Sequence, residues 1–198
     1  ALDNVMNTIM SYNMSENDSV VTTLMPHDIQ ALQYLYGINT SFNDSDTTYT
    51  LSFDTWALAD ESVSDMRALT LNLAGKRTIW DGGGRDTIEA TNLPIDNYYF
   101  DLSPGGLLAK QDVRNGSSYT GQPGQAQSGV TYSIDKAGVR LAFNMQIEDL
   151  LGTAGNDEVL GNASDNFLFG GGGNDLLSGR EGADIITGNQ GADHLSGG

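Results

Sequence analysis

Asp157, Asn166, Asp175, Asp184 and Asp193 recur every nine residues, each five places after Gly152, Gly161, Gly170, Gly179 or Gly188. Between these markers the chain is rich in Gly, Asn and Ser. A turn of this composition leaves its backbone carbonyls uncovered, because Gly has no side chain and accepts positive φ. A carboxylate at four of these five places, set among free carbonyls, offers hard oxygen donors. Calcium takes about six to eight such oxygens and tolerates irregular geometry.

On that logic the candidate donors fall block by block. The first block offers Thr153, Gly155 and Asp157, and the second Asn162, Ser164 and Asn166. The third offers Gly170, Gly171, Gly172, Gly173 and Asp175. The fourth offers Gly179, Arg180, Glu181, Gly182 and Asp184, and the fifth Gly188, Gln190 and Asp193. The third block, GGGGNDLLS, is the most regular. Asn166 replaces Asp in the second, with Asp165 beside it, so that block is expected to bind more weakly. Arg180 and Asn189 replace the second Gly of the fourth and fifth blocks, where a carbonyl still donates if the turn is kept.

The elements that must hold these oxygens follow from the same period. The eighth place of each block is Val159, Leu168, Leu177, Ile186 or Leu195, apolar every time. Six residues of turn and three of strand per block predict two stacked sheets with a thin aliphatic ladder between them. One repeat cannot bury that face alone, so stacking is obligatory. A flexible Gly/Asn/Asp linker shares the composition but has no reason to keep five apolar residues in phase. Glycine marks the boundary: 12 lie in residues 1–151 and 13 in residues 152–198.

Upstream, residues 26–36 (PHDIQALQYLY) predict a helix, with Pro26 in its first turn, Asp28 at its positive end and Gly37 as its stop. Ile29, Leu32 and Tyr36 are expected on its buried face. Strand-like alternation follows at TYTLSF, ALTLNL, RTIW, YYFDL, VTYSI and VRLAF. Residues 114–129 read as a polar, Gly-rich surface loop. Trp80-Asp81-Gly82-Gly83-Gly84-Arg85-Asp86-Thr87 looks like a lone copy of the repeat turn. The run Asn43-Asp44-Ser45-Asp46-Thr47 is a candidate to complete a site with it. Each of these two runs, taken alone, is equally an ordinary Asx-rich loop.

Charge narrows the partners. The 198 residues carry 26 acidic and 9 basic side chains, a formal net charge of −17. Nucleic acid and anionic membrane surfaces repel such a chain. There is no Cys, which excludes disulfides, thiolate zinc sites and Cys nucleophiles. No apolar run approaches the length of a membrane span. The opening residues Ala1-Leu2-Asp3-Asn4 are not a signal peptide and read like the middle of a longer chain.

The nonapeptide Gly-Gly-x-Gly-x-Asp-x-apolar-x is the repeat-in-toxin (RTX) signature, a known calcium-binding repeat. The rest of the chain resembles, in order, the C-terminal portion of the serralysin group of metzincin zinc endopeptidases. Thr8-Ile9-Met10-Ser11-Tyr12 is similar to the group's Met-turn, and residues 26–37 to the helix after it. Asp46-Thr47-Thr48-Tyr49, residues 80–86 and Ile147-Glu148-Asp149 resemble the start of its calcium-binding domain. The resemblance is loosest over residues 94–145. It implies a remnant of a protease domain at 1–39, a β-rich first part of the C-terminal domain at 40–151, and a truncated nonapeptide β-roll at 152–198. The implied fold is mainly β: a parallel β-roll plus a β-sandwich-like region, with a short helical N-terminal remnant.

The resemblance also implies roles. Met10 would form an apolar floor beneath zinc, and Tyr12 would ligate zinc or stabilise the oxyanion. Read without the family pattern, Met10 is a core methionine and Tyr12 a core aromatic. Asn43, Ser45, Thr47, Asp81, Gly83 and Asp86 would form one calcium site, and Gly84, Asp86, Gln146 and Glu148 a second. Gln146 departs from the family's usual Thr, and Arg85 places a positive charge inside the turn. The zinc helix His-Glu-x-x-His-x-x-Gly-x-x-His is absent, and His27 and His194 do not replace it. The expectation is therefore a calcium-binding module of a secreted, extracellular zinc endopeptidase, not catalytic by itself. Zinc belongs to the intact parent alone. The implied partners are calcium, the parent's N-terminal catalytic part, its peptide substrate and the type I secretion machinery during export. A non-enzymatic calcium-dependent binding or adhesion module is the competing reading, and residues 8–37 are what it leaves unexplained.

Overall fold

The computed structural model describes residues 24–41, 43–52, 68–72, 76–111 and 138–198. Met10, Tyr12, the polar stretch 114–129 and the expected strand VTYSI lie outside them. The described chain is mainly β, with one short helix, α1 (Pro26–Tyr36). The strands are β1 (Thr48–Ser52), β2 (Ala68–Asn72), β3 (Lys76–Ile79), β4 (Thr87–Glu89), β5 (Tyr98–Asp101), β6 (Leu107–Lys110) and β7 (Gly138–Leu141). Within the repeats they are β8 (Asp149–Leu151), β9 (Asp157–Leu160), β10 (Phe167–Gly172), β11 (Leu176–Ser178), β12 (Ile185–Gln190) and β13 (His194–Ser196).

The strands form two sheets. One has six strands in the order β12-β10-β8-β4-β1-β2, and the other seven in the order β13-β11-β9-β5-β6-β7-β3. From β8 onward the chain changes sheet at every strand, and each new strand pairs in parallel with the one two before it. Eighteen residues therefore separate neighbours in a sheet, as in Val159 beside Leu177 and Leu168 beside Ile186. The six-stranded sheet is parallel throughout, whereas β6 runs antiparallel to both β5 and β7. Both sheets continue across residue 151: β4 pairs with β8, and β5 with β9. The upstream strands thus extend the repeat sheets rather than forming a sandwich of their own.

The eighth places of the repeats do turn inward. Val159, Leu168 and Leu177 are fully buried among Tyr49, Ile88, Phe100, Leu141, Ile147 and Leu150. Burying each such aliphatic contributes roughly 1.5–3 kcal/mol. The ladder then fades: Ile186 is only partly covered and Leu195 is 46% exposed, because β12 and β13 are the edge strands of their sheets among the described residues.

Helix α1 begins and ends as its sequence predicts. Pro26 occupies the first turn, the Asp28 carboxylate accepts the Met25 N–H at 2.9 Å, and the Gly37 N–H closes on Gln33 O at 2.9 Å. Its buried face differs from the expected one. Ile29 and Gln33, one turn apart, face inward, whereas Tyr36 is 82% exposed. Gln33 is held there by its amide, which donates to Phe143 O at 3.3 Å and accepts from the Asn144 amide at 3.1 Å. Two satisfied hydrogen bonds let a polar side chain take a place assigned to an apolar one.

Candidate metal centre

Changing sheet at every strand sorts the turns onto two edges. One edge carries residues 90–97, 152–157, 170–175 and 188–193, between strands of the six-stranded and the seven-stranded sheet. The other carries residues 80–86, 142–148, 161–166 and 179–184, on the return path, with residues 43–47 leading into β1 beside them. Turns that neighbour one another on an edge are tied by side-chain acceptors. Asp175 Oδ1 accepts the Asp157 N–H at 2.8 Å, Asp193 Oδ1 accepts the Asp175 N–H at 3.0 Å, and Asp184 Oδ1 accepts the Asn166 N–H at 2.9 Å. The fifth residue of each block adds a second rail in the opposite sense: Asn156 Oδ1 accepts from Asn174 N, Asn174 Oδ1 from Ala192 N, and Asp165 Oδ1 from Ala183 N.

The upstream turns repeat this scheme without the nonapeptide spacing. Asp86 Oδ1 accepts the Thr47 N–H at 2.9 Å, Asp46 Oδ1 accepts the Arg85 N–H at 2.9 Å, and Glu148 Oε2 accepts the Asp86 N–H at 2.9 Å. A Cβ on Gly84 would meet Ser45 C at 2.7 Å, so only Gly lets the two turns stack this closely. Residues 43–47, 80–86 and 146–148 are thereby brought side by side. Asp81 is drawn inward: its Oδ2 accepts from Tyr49 Oη at 2.5 Å and from Asn43 Nδ2 at 2.9 Å, and its Oδ1 from Gly83 N. The start of the other edge has no Gly-rich marker in the sequence. A Cβ on Gly155 would overlap Asp96 O, which places residues 90–97 directly against turn 152–157. The Asp96-Asn97 pair just before β5 is the one feature that could have signalled it.

The turns are of two kinds. In 170–175, 179–184 and 188–193 the second and fourth residues have positive φ, including the non-glycines Arg180 (72°) and Asn189 (78°). There the second oxygen of the block Asp lies beneath the first Gly; a Cβ on Gly179 would sit 2.0 Å from Asp184 Oδ2. Buried Asp175 Oδ2 and Asp184 Oδ2 have no hydrogen-bond partner, and neither does Asp86 Oδ2 upstream. In 152–157 and 161–166 no residue has positive φ. Their sixth residues are satisfied from within the turn: Asp157 accepts from Thr153 N and Thr153 Oγ1, and Asn166 Oδ1 from Asn162 N.

Burial away from cationic partners raises four of these carboxyls. Burial, then the charge of Asp81, pushes the Asp86 carboxyl up to about 8. Burial raises Asp157 to about 7 and Asp175 to about 6, and burial raises Glu148 as well. Burial first, then the bond to Asp81, raises the Tyr49 hydroxyl. The two arginines near the rows pair with other acceptors than the orphaned oxygens. Arg85 forks onto both oxygens of Asp149 (2.6 and 3.1 Å), and Arg180 reaches Asp101, Ser103 and Gly161 O.

A divalent cation fits this arrangement. It would supply the missing partner of each orphaned oxygen and relieve the like-charge crowding. Among the described residues no three His, Asp or Glu side chains converge as a metal-holding group. The sixth place brings a carboxylate in four of the five blocks, so backbone carbonyls must supply most of the other oxygens, which suits calcium better than zinc. Gly83, Gly155, Gly171, Gly173 and Gly182 lie at the turn places whose carbonyls are candidates.

Residues 147–177 and 169–198 match the RTX calcium-binding nonapeptide repeat family. Over 131 residues, 66% of its length, the chain is 33% identical to serralysin from Proteus mirabilis. It spans about a fifth (21%) of that relative's length. Among the described residues no helix is long and apolar enough to cross a membrane. Residues 147–198 are thus RTX calcium-binding repeats, joined to an upstream region similar to part of serralysin.

Proposed function

We propose that the chain is the C-terminal part of a secreted serralysin-like zinc endopeptidase. In this reading it is a parallel β-roll module that folds on calcium and is not catalytic by itself. The observation that carries it is a set of three buried carboxylate oxygens without partners, Asp86 Oδ2 and Asp184 Oδ2 on one edge and Asp175 Oδ2 on the other, each at a stacked turn. Such groups cost free energy unless a cation joins them.

Calcium, when bound, supplies positive charge and coordination to these oxygens. Asp175, Asp184 and Asp193, with the carbonyls of Gly170–Gly173, Gly179–Gly182 and Gly188–Gln190, would hold it in the distal turns. Thr153, Gly155 and Asp157 would complete the edge that Asp175 continues. Asn43, Ser45, Thr47, Asp81, Gly83 and Asp86 would hold an upstream ion, and Gly84, Asp86, Gln146 and Glu148 a second. The net charge of −17 makes the metal-free state self-repelling, so binding energy becomes folding energy. A chain whose distal repeats stay open at low cytosolic calcium and close at millimolar external calcium suits export through a narrow channel. Met10 and Tyr12 would serve the parent's zinc site, which needs the parent's N-terminal catalytic part.

The test is a calcium titration of the whole chain, followed by far-UV circular dichroism and by native mass spectrometry. A cooperative gain of β-structure with several calcium ions bound is expected. Identical spectra in chelator and in millimolar calcium, with no bound ion, would overturn the proposal.

A further inference from the structure

We propose that the joint between residues 146–148 and turn 161–166 takes no calcium, because the chain's own nitrogen groups already occupy it. This rests on the calcium reading above for the turns on either side. In a row where the other turns leave oxygens open, this junction is filled by side chains. The Asn162 amide nitrogen donates to Ile147 O at 2.7 Å and to Leu102 O at 3.1 Å. The Asn166 amide nitrogen donates to Glu148 O at 3.0 Å and to Asn162 Oδ1 at 3.2 Å. Ser164 Oγ bonds Gln146 Oε1 across the same gap.

The orientation of both amides follows from chemistry. Leu102, Ile147 and Glu148 present carbonyls, so nitrogen must face them. Asn162 N and Ser164 N are donors, so the amide oxygens must face those, as Asn166 Oδ1 and Asn162 Oδ1 do at 2.9 and 2.8 Å. Asn162 and Asn166 are buried, and neither leaves a polar atom unpartnered, unlike Asp86, Asp175 and Asp184. N–H groups aimed at carbonyls repel a cation and use up its ligands. The replacement of Asp by Asn at residue 166 is thus a change of mechanism rather than a weakened site. The joint links an upstream calcium district (residues 43–86 with Glu148) to a distal one (residues 170–198), and it holds when both are empty.

The test pairs hydrogen exchange with a variant, using the whole chain. In chelator, the amides of Asn162, Ser164 and Phe167 should keep their protection within about tenfold. Those of Asn174, Asp175, Ala192 and His194 should lose more than about a hundredfold, reporting local opening. Asn166→Asp should turn a donor into an acceptor. In millimolar calcium, native mass spectrometry should then count one more ion than in the parent chain. Joint amides that exchange as fast as the distal ones in chelator would overturn the proposal. So would an unchanged ion count for N166D in a folded, calcium-loaded chain. A parent chain that binds no calcium defeats the calcium reading alone. The joint is still judged by its protection in chelator.

Discussion

Asp175→Asn should change the sign of its effect with calcium. Asp175 Oδ1 accepts the Asp157 N–H, while Oδ2 is buried without a partner. Asparagine keeps the first contact and removes the buried charge. Without calcium, relieving one unsatisfied buried carboxylate should raise stability by about 1–3 kcal/mol. At a free concentration of about 1,000 times the dissociation constant, losing one site should forfeit about 4.1 kcal/mol, a net loss of about 1–3 kcal/mol once that gain is subtracted. At roughly 2–4 °C per kcal/mol for a chain of this size, the variant should melt about 2–12 °C higher in chelator and about 2–12 °C lower in saturating calcium. Paired thermal melts of parent and variant across a calcium series would show the two curves crossing. A variant destabilised equally at every calcium concentration would refute the reasoning, leaving Asp175 a hydrogen-bond acceptor and nothing more.

Two further outcomes follow. In chelator, raised carboxyl values at Asp86 (about 8), Asp157 and Glu158 (both about 7) and Asp175 (about 6) mean that the folded state binds protons more tightly than the unfolded one. Their contribution is present below about pH 4 and lost as pH rises through 6 to 8, so urea midpoints should fall across that window, and calcium affinity should rise across it. A midpoint that rises with pH in chelator would contradict this. Leu177→Ala should cost about 2–5 kcal/mol by leaving a cavity in the closed part of the ladder, whereas half-exposed Leu195→Ala should cost under about 1 kcal/mol, both read by denaturant melts in calcium.

Local pattern carried most of the repeat region. A nine-residue period with one apolar phase dictates three residues of strand, a turn, and a face to bury, and Val159, Leu168 and Leu177 obey it. The same period names Asp157, Asp175, Asp184 and Asp193 as the acidic places. It also marks 80–86 as a related turn, because Gly83 and Gly84 at positive φ leave a trace in composition. Helix α1 was legible at both ends, where Pro26, Asp28 and Gly37 act within one turn.

Other features were decided only when the chain closed on itself. Gln33 takes an inward place because the carbonyl of Phe143 and the amide of Asn144, more than a hundred residues away, meet its two polar ends. Residues 90–97 join an edge through contact between Asp96 and Gly155, which no spacing announces. Asn162 and Asn166 read as diluted copies of the calcium pattern until Leu102, Ile147 and Glu148 present carbonyls to their nitrogens. Residue type and period determine which atoms a turn can offer. Whether an oxygen stays open for a cation depends on which distant donor or acceptor packs against it, and that is a property of the stacked sheets alone.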